Sequence, residues 1–247
     1  MSSVVDGCET ILMGGQLEKF RSQLLKSVSI KERIRTVTMD IDATNRLLHS
    51  SLLFLHRSPL PEVLEKARVL IGTLKKPLSQ LAEILQDCPG EYYRYHGDWK
   101  SEMQTAVSLL CFIDWVDTGK LLTHREIEET FGLDPLNFGL DVEDYLIGVC
   151  FMSSELPQYV VNQVSAGDYN CPRRAFKFLT DLYEAFRMLN LRNDFLRKKF
   201  DGIKYDLVRV TEVYHDVKIR GLMPSEEDMT MQREDSILVL KGQDIQT

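Results

Sequence analysis

Apolar residues recur every three or four positions along most of the chain, a spacing that predicts amphipathic helices. The longest such run covers residues 9–56 and contains no proline. The following Ser58-Pro59-Leu60-Pro61 predicts its end, because proline has no backbone N–H to donate and its predecessor avoids helical dihedral angles. A second helix is predicted from Glu62 to about Gln86.

Breaks along the rest of the chain divide it into further predicted helices. The turn Cys88-Pro89-Gly90 precedes a third helix that is expected to run unbroken to about Asp117. Thr123 and Glu126 have the spacing of a capping box, which predicts a short helix to Phe131. The remaining helices are expected after Asp141, from about Pro172 to Leu189, and from there to Arg220, where Gly221 stops the pattern.

This pattern favours one structural domain followed by a tail. Residues 1–222 contain no linker rich in Gly, Ser or Pro, so we predict a single all-α domain there, a multi-helix bundle of about seven helices. Residues 223–247 are charged and irregular, which is typical of a flexible tail. No apolar run reaches the roughly 18 residues of a membrane-spanning helix, so no membrane contact is predicted.

Charge and cysteine usage narrow the classes of function. The chain has 30 Lys and Arg against 37 Asp and Glu, a formal charge of −7, so any nucleic-acid site must be a local basic patch. The five cysteines lie far apart without a CxxC pair, which is typical of reduced thiols in a cytosolic or nuclear protein. Neither a Gly-rich phosphate loop nor an HExxH motif is present, and the histidines are scattered, which argues against a zinc site or a His-based triad.

Two segments combine positive charge with aromatic or apolar residues. The first, EYYRYHGDWK at residues 91–100, has the π faces and cations that single-stranded nucleic acid requires. The same aromatic residues would equally suit packing into a core. The second, LRNDFLRKKFDGIKY at residues 191–205, is the most cationic run, although charge on one helical face is usually solvated surface.

An apolar seam of coiled-coil type runs through the last two predicted helices. Its residues alternate four and three positions apart, and its centre is formed by Leu182, Leu189, Leu196 and Ile203. Such seams also line helix bundles within one chain, which is the interpretation that periodicity alone favours. Contact between subunits is the alternative.

Several longer segments resemble a known family. They are EYYRYHGDW, LDVEDYLIGV, SSEL, VSAGDYNCP, FRMLNLRNDFLRKKFDGIKYD and the terminal IRG, in this order. Together they are similar to the translin family over roughly residues 10–222.

The resemblance implies a fold, an assembly and partners. Translin-like subunits are all-α, assemble into octameric shells and bind single-stranded RNA and DNA. They also combine with a paralogous subunit, Trax, into an endoribonuclease that acts in small-RNA processing, including RNA silencing, and in tRNA processing. The apolar seam would then contribute to contacts between subunits, and the protein would be found in the cytoplasm and the nucleus.

The resemblance also implies that this chain is the non-catalytic kind of subunit. Trax-type sites hold a divalent metal with acidic residues on two helices. Two of those acids align with Thr105 and Ser108, a third aligns with Phe151, and only the fourth is retained, as Glu155. One carboxylate cannot hold such a metal, so we expect no catalytic residue, metal or cofactor in this chain alone, with Mg²⁺ belonging to a Trax-type partner.

Two basic segments of the family map to residues 61–70 and 92–105. The expected nucleic-acid contacts are Lys66, Arg68, Arg94, His96 and Lys100. Nearby acidic residues reduce the net positive charge, which predicts weaker and less salt-sensitive binding. We expect His96 to strengthen binding below about pH 6.5, where imidazole gains charge. The aromatic residues Tyr92, Tyr93 and Trp99 are expected to pack.

Two other hypotheses remain open at the level of sequence. The chain could be a metal-dependent endoribonuclease in its own right, acting through Glu155 as a homo-oligomer. It could also be an assembly scaffold whose acidic substitutions have abolished nucleic-acid binding.

Overall fold

The computed structural model describes residues 3–53, 55, 59–189 and 194–223, with side chains from residue 15 onward. These residues form eight α-helices and one short 3₁₀ helix, His96–Asp98, which confirms the all-α prediction with one α-helix more than expected. The α-helices are α1 Ser3–Leu52, α2 Leu60–Gln86, α3 Tyr92–Tyr95, α4 Lys100–Thr118, α5 His124–Phe131, α6 Val142–Ser165, α7 Cys171–Met188 and α8 Asp194–Ile219.

The described residues divide into two compact units. The first takes in the chain up to Ile113 and then Leu122–Gly148, and the second takes in Asp114–Leu121 and the chain from Val149 onward. The single domain expected for residues 1–222 stays a prediction. The tail expected at residues 223–247 lies almost wholly outside the described residues.

In the first unit, α1 and α2 pack against each other in antiparallel directions. The direction follows because α2 begins at Leu60, shortly after α1 ends at Leu52, while Asp87 just after the end of α2 reaches back to Arg33 in the middle of α1, at 2.7 Å. The predicted apolar stripe of α1 forms the contact from Ile34 onward, since Ile34, Ile41 and Leu74 are fully or almost fully buried. Each such side chain contributes about 1.5–3 kcal/mol when it leaves water. The apolar residues of the first half of α1 are instead more than half exposed, namely Leu17, Phe20, Leu24 and Val28.

The third predicted helix is not continuous. It is divided into α3, the 3₁₀ helix and α4, because Trp99 has φ −135° and ψ −10°, outside the helical region. Tyr95 and Trp99 are each 1% exposed, so the break places two large aromatic side chains in the core. Their burial offsets the loss of regular helical hydrogen bonds, and Gly97 makes the interruption less costly.

Local signals at helix ends are confirmed. Thr123 Oγ1 accepts from the Glu126 backbone N–H, and the Glu126 carboxylate accepts from the Thr123 backbone N–H at 2.7 Å, forming the predicted capping box. Gly132 then ends α5 with φ +71°, a conformation that favours glycine. At the start of α6, Asp141 Oδ1 accepts from the Glu143 backbone N–H at 2.8 Å.

One glycine permits close packing of α4 and α6 within the first unit. A Cβ atom added to Gly148 would lie 2.5 Å from Val107 Cγ1, a distance at which something must shift. Gly148 therefore fixes how closely these helices approach each other.

In the second unit, α7 and α8 form an antiparallel hairpin. Phe176 stacks on Tyr214 with ring centroids 5.2 Å apart, and Phe186 stacks on Phe200 at 5.6 Å. Residues 190–193, which join the two helices, lie outside the described part of the chain.

The apolar seam is folded back on itself by this hairpin. Leu182, Leu196 and Ile203 are buried within the chain, whereas Leu189 is 43% exposed. Packing within one chain is therefore part of what the seam does, as its periodicity favours. Its contribution to contacts between subunits stays a prediction.

Across the described residues, no helix has the length and apolar character needed to cross a membrane.

Candidate nucleic-acid interface

An aromatic cluster lies where the second predicted basic segment begins. The Tyr92 ring is stacked on His96 at 5.4 Å and meets the edge of Trp99 at 5.4 Å. Phe138 completes the cluster, with its ring centroid 6.1 Å from that of Trp99. Trp99 and Phe138 are buried, so the expectation that Trp99 packs is confirmed. These ring contacts anchor the segment to the protein.

His96 is held by a buried carboxylate from α6. His96 Nε2 lies 2.5 Å from Asp144 Oδ2, and the Gln104 amide donates to Asp144 Oδ1 at 2.7 Å. Asp144 is 2% exposed, and the His96 side chain is 16% exposed. The imidazole is therefore engaged mainly inside the protein, and its contact with nucleic acid stays a prediction.

The environment of this cluster changes two pKa values. The hydrogen bond with Asp144 is the main cause that raises the pKa of His96 above its ordinary value, against a smaller opposing effect of burial. Burial is the main cause that raises the pKa of Tyr92, helped by the negative charges of Asp144 and Asp141. Tyr92 therefore stays neutral at physiological pH, and His96 gains its positive charge more readily than a solvated histidine.

Tyr93 differs from the expectation that it packs. It is 77% exposed, although its neighbours Tyr92 and Tyr95 turn toward the protein. Its hydroxyl donates to Asp141 Oδ2 at 3.4 Å, which links α3 to the start of α6. The expected burial was wrong. The single turn of α3 buries Tyr95, and Tyr93, two residues earlier, therefore lies on the opposite side of the turn.

Arg94 and Lys100 are exposed on either side of the 3₁₀ helix. The Arg94 guanidinium lies 3.1 Å from the Glu91 carboxylate, and both side chains are substantially solvated. Exposed ion pairs of this kind are worth about 0–1 kcal/mol, so a phosphate could displace Glu91 at little cost. The guanidinium carbon also lies 5.5 Å from the centre of the Tyr95 ring, which favours an ordered position.

The first predicted basic segment lies on a separate helix, α2. Lys66 and Arg68 are exposed, while Val63, Leu64 and Ala67 on the same helix are buried. Both cations therefore face away from the helix packing of the first unit. Of the five predicted contacts, four are exposed and His96 is largely buried.

The positions aligned with Trax acids have other structural uses here. In the first unit, Thr105 Oγ1 donates to the Ser101 carbonyl at 2.9 Å, and Ser108 is buried. In the second unit, Lys199 Nζ lies 4.7 Å from the centre of the Phe151 ring, a cation–π contact. Glu155, the retained acid, is exposed on α6. Over the described part of the chain, no group of three or more His, Cys, Asp or Glu side chains could hold a metal ion.

Two residues of the site were not predicted from the sequence. The contact of Asp144 with His96 joins positions 48 residues apart, and no local pattern indicates it. Gln104 carried no signal at all. A clue to Asp144 was its place at the third residue of α6, two residues before the apolar run Leu146–Val149.

Comparison with known proteins agrees with this architecture. The Translin family model matches residues 29–221. Translin from Homo sapiens is 40% identical over 200 residues, covering 78% of this chain and 86% of that protein. Translin-associated protein X from Rattus norvegicus is 24% identical over 217 residues, covering 77% of this chain and 73% of that protein.

A solved structure extends the similarity to the fold. The structure of the AfC3PO–duplex RNA complex matches with a TM-score of 0.63 at 20% identity, covering 85% of this chain and 100% of that chain. The fold is therefore of the C3PO type. This chain has a higher sequence identity to translin than to translin-associated protein X, so it is a subunit of the translin type. The chain belongs to the translin family.

Proposed function

We propose that this chain is a single-stranded RNA- and DNA-binding, non-catalytic subunit of a translin–Trax-type endoribonuclease. In this proposal it self-assembles into an octamer and joins a Trax-like paralogue. The complex acts in RNA silencing and tRNA processing, in the cytoplasm and the nucleus. The retained similarity to both translin and translin-associated protein X supports a place in such a mixed assembly.

The observation that carries the proposal is the exposed pair of cations above the aromatic cluster. Arg94 and Lys100 extend from a segment whose core residues, Tyr95 and Trp99, are almost completely buried. The buried side chains of Tyr95 and Trp99 hold the segment's backbone in place, so binding phosphate would require little further ordering. In an octamer the same pair would be repeated on every subunit, so one strand could contact several weak sites.

The non-catalytic part of the proposal rests on the positions aligned with Trax acids. Thr105 and Ser108 supply no carboxylate, and Phe151 carries an aromatic ring against Lys199. A catalytic Mg²⁺ needs several oxygen ligands in a fixed geometry. We therefore assign metal-dependent cleavage to the partner subunit.

The test is the salt dependence of binding to a labelled single-stranded RNA, followed by fluorescence anisotropy. The slope of log K against log salt is negative, and each phosphate contact that is removed should make it shallower by about 0.7 for a single strand. We expect Arg94→Ala and Lys100→Ala each to weaken binding and to make the slope shallower by about that amount. Lys177→Ala, which removes one exposed charge from α7, is the matched control and should leave both quantities unchanged.

Two features favour a scaffold as the second candidate. Arg94 is paired with Glu91, and His96 faces Asp144, so two of the predicted contacts already have acidic partners. An intact oligomer that binds no RNA at low salt would support the scaffold and contradict the proposed function. Equal affinity of the wild type, Arg94→Ala and Lys100→Ala would place any binding site elsewhere on the chain.

A further inference from the structure

Tyr93 is an aromatic residue that lies outside the core. It is 77% exposed, in contrast to Tyr95 and Trp99 at 1% each within the same short segment. Single exposed apolar residues are common on protein surfaces, so exposure alone does not indicate a site. What distinguishes Tyr93 is the way in which its ring is held.

The Tyr93 ring is fixed at two places although it faces solvent. Its hydroxyl donates to Asp141 Oδ2 at 3.4 Å, while Asp141 Oδ1 is itself engaged by the Glu143 backbone N–H at 2.8 Å. The ring also meets the Tyr92 ring at 5.1 Å and 80°, and the His96 ring at 6.1 Å and 84°. A side chain held by an anchored partner and two perpendicular rings has lost much of its rotational freedom before any ligand binds.

The charges around Tyr93 favour phosphate near the neighbouring cations and an uncharged base on the ring. Arg94 follows it directly in the chain, and Lys100 lies just beyond the 3₁₀ helix, both exposed. Asp141, in contrast, places a carboxylate at the hydroxyl end of the ring. Phosphate would be repelled at that end and attracted to the cations, whereas an uncharged base could lie on the ring.

We propose that Tyr93 is a stacking platform for an unpaired nucleobase, with Asp141 as the residue that positions its ring. The inference rests on the proposed single-strand binding and deepens it by assigning a base contact beside the phosphate contacts of Arg94 and Lys100. Stacking on an aromatic ring is tolerant of base identity, because every base has a π face. Bases inside a duplex are already stacked on each other, so the platform favours single strands.

The test compares two strands that differ only in their bases. One is a single-stranded oligothymidine, and the other is an abasic spacer strand with the same number of phosphates. The wild-type protein should prefer the oligothymidine. Tyr93→Ala should weaken binding to it by roughly fivefold to a hundredfold, the range for one lost stack, and leave affinity for the spacer strand unchanged. Tyr93→Phe keeps the ring but loses the hydrogen bond to Asp141, so its preference should fall between those of Tyr93→Ala and the wild type.

Further readouts separate stacking from charge and from assembly. Because no cation is removed, the salt slope of Tyr93→Ala should equal that of the wild type, unlike the slope of Arg94→Ala. Light scattering at the same protein concentration should give the same oligomer mass for Tyr93→Ala and wild type.

The possible outcomes distinguish this inference from the proposed function. If the wild type binds both strands and Tyr93→Ala keeps the full preference for bases, the platform is wrong while nucleic-acid binding stands. A Tyr93→Ala protein with an altered oligomer mass overturns the platform in favour of a subunit contact. If the intact wild-type oligomer binds neither strand, the platform and the proposed function both fail.

Discussion

At the scale of single residues, the contact between His96 and Asp144 links protonation to folding. The buried Asp144 carboxylate accepts from Gln104 and faces the imidazole at 2.5 Å. The hydrogen bond with Asp144 raises the pKa of His96, while Asp141 adds to the rise and Lys100 opposes it. The folded state therefore binds a proton more tightly than the unfolded chain, whose histidines titrate near about pH 6.5.

The sign of this linkage predicts a pH-dependent stability. The stabilising contribution is complete below about pH 6.5 and is lost as pH rises through the higher folded pKa of His96. We expect the free energy of unfolding to decrease across that window in the wild type and to show a smaller decrease in His96→Gln. Chemical denaturation at a fixed protein concentration, repeated at several pH values, measures the difference.

The matched control retains His96 and removes the charge opposite it. Asp144→Asn should also lose this part of the pH dependence, because the main cause of the raised pKa is gone. If both variants keep the wild-type dependence, the coupling between His96 and Asp144 does not contribute to stability. Since His96 is largely buried, its protonation would affect nucleic-acid binding mainly through the order of this segment.

Local residue patterns could be predicted from the sequence, whereas contacts between distant residues could not. The capping box of Thr123 and Glu126 is defined by neighbours three positions apart, and the structure contains it as expected. His96 and Asp144 are brought together only by packing, which periodicity does not specify. The exposure of Tyr93 was missed for the same reason, since it depends on which way a one-turn helix faces.

At the scale of elements, the positions where helices break determine which apolar residues are buried within the chain. The long periodic runs predicted α1 and α2 well, because their apolar stripes extend over many turns. The third helix was expected to be unbroken, since the sequence does not show that burying Trp99 outweighs helical continuity. The seam in α7 and α8 was predicted as a pattern, but its division between packing within a chain and contact between chains depends on tertiary structure.

Two substitutions in the seam separate these roles. Ile203 is fully buried, so Ile203→Ala should lower the free energy of unfolding by about 2–5 kcal/mol through lost burial and a residual cavity. Leu189 is 43% exposed, so Leu189→Ser should change the unfolding free energy of the subunit itself much less. If the seam also joins subunits, Leu189→Ser should reduce the oligomer mass measured by light scattering.

The comparison must be made at one protein concentration, because assembly itself stabilises the folded subunit. An unchanged oligomer mass for Leu189→Ser would remove Leu189 from the proposed subunit contact. A large loss of secondary structure in the same variant would show that its role is in folding.

At the scale of the whole molecule, the proposed function requires a local basic surface on a chain of negative net charge. The net charge of −7 opposes general attraction to phosphate, so the proposed binding would depend on where the cations are exposed. Four of the five cations expected from the family resemblance are exposed, and a buried aromatic cluster supports two of them. The chain is therefore expected to select strands that present both phosphates and accessible bases.

The proposed function is tested most directly when binding and cleavage are measured in the same sample. Purified protein is mixed with labelled single-stranded RNA and Mg²⁺, with and without a Trax-type subunit. Binding is followed by anisotropy, and RNA length is followed on a denaturing gel. We expect the chain alone to bind the RNA and leave it intact, and cleavage to begin only when the partner is added. Cleavage by the chain alone that is lost in Glu155→Gln, or no binding by an intact oligomer, would contradict the proposed function.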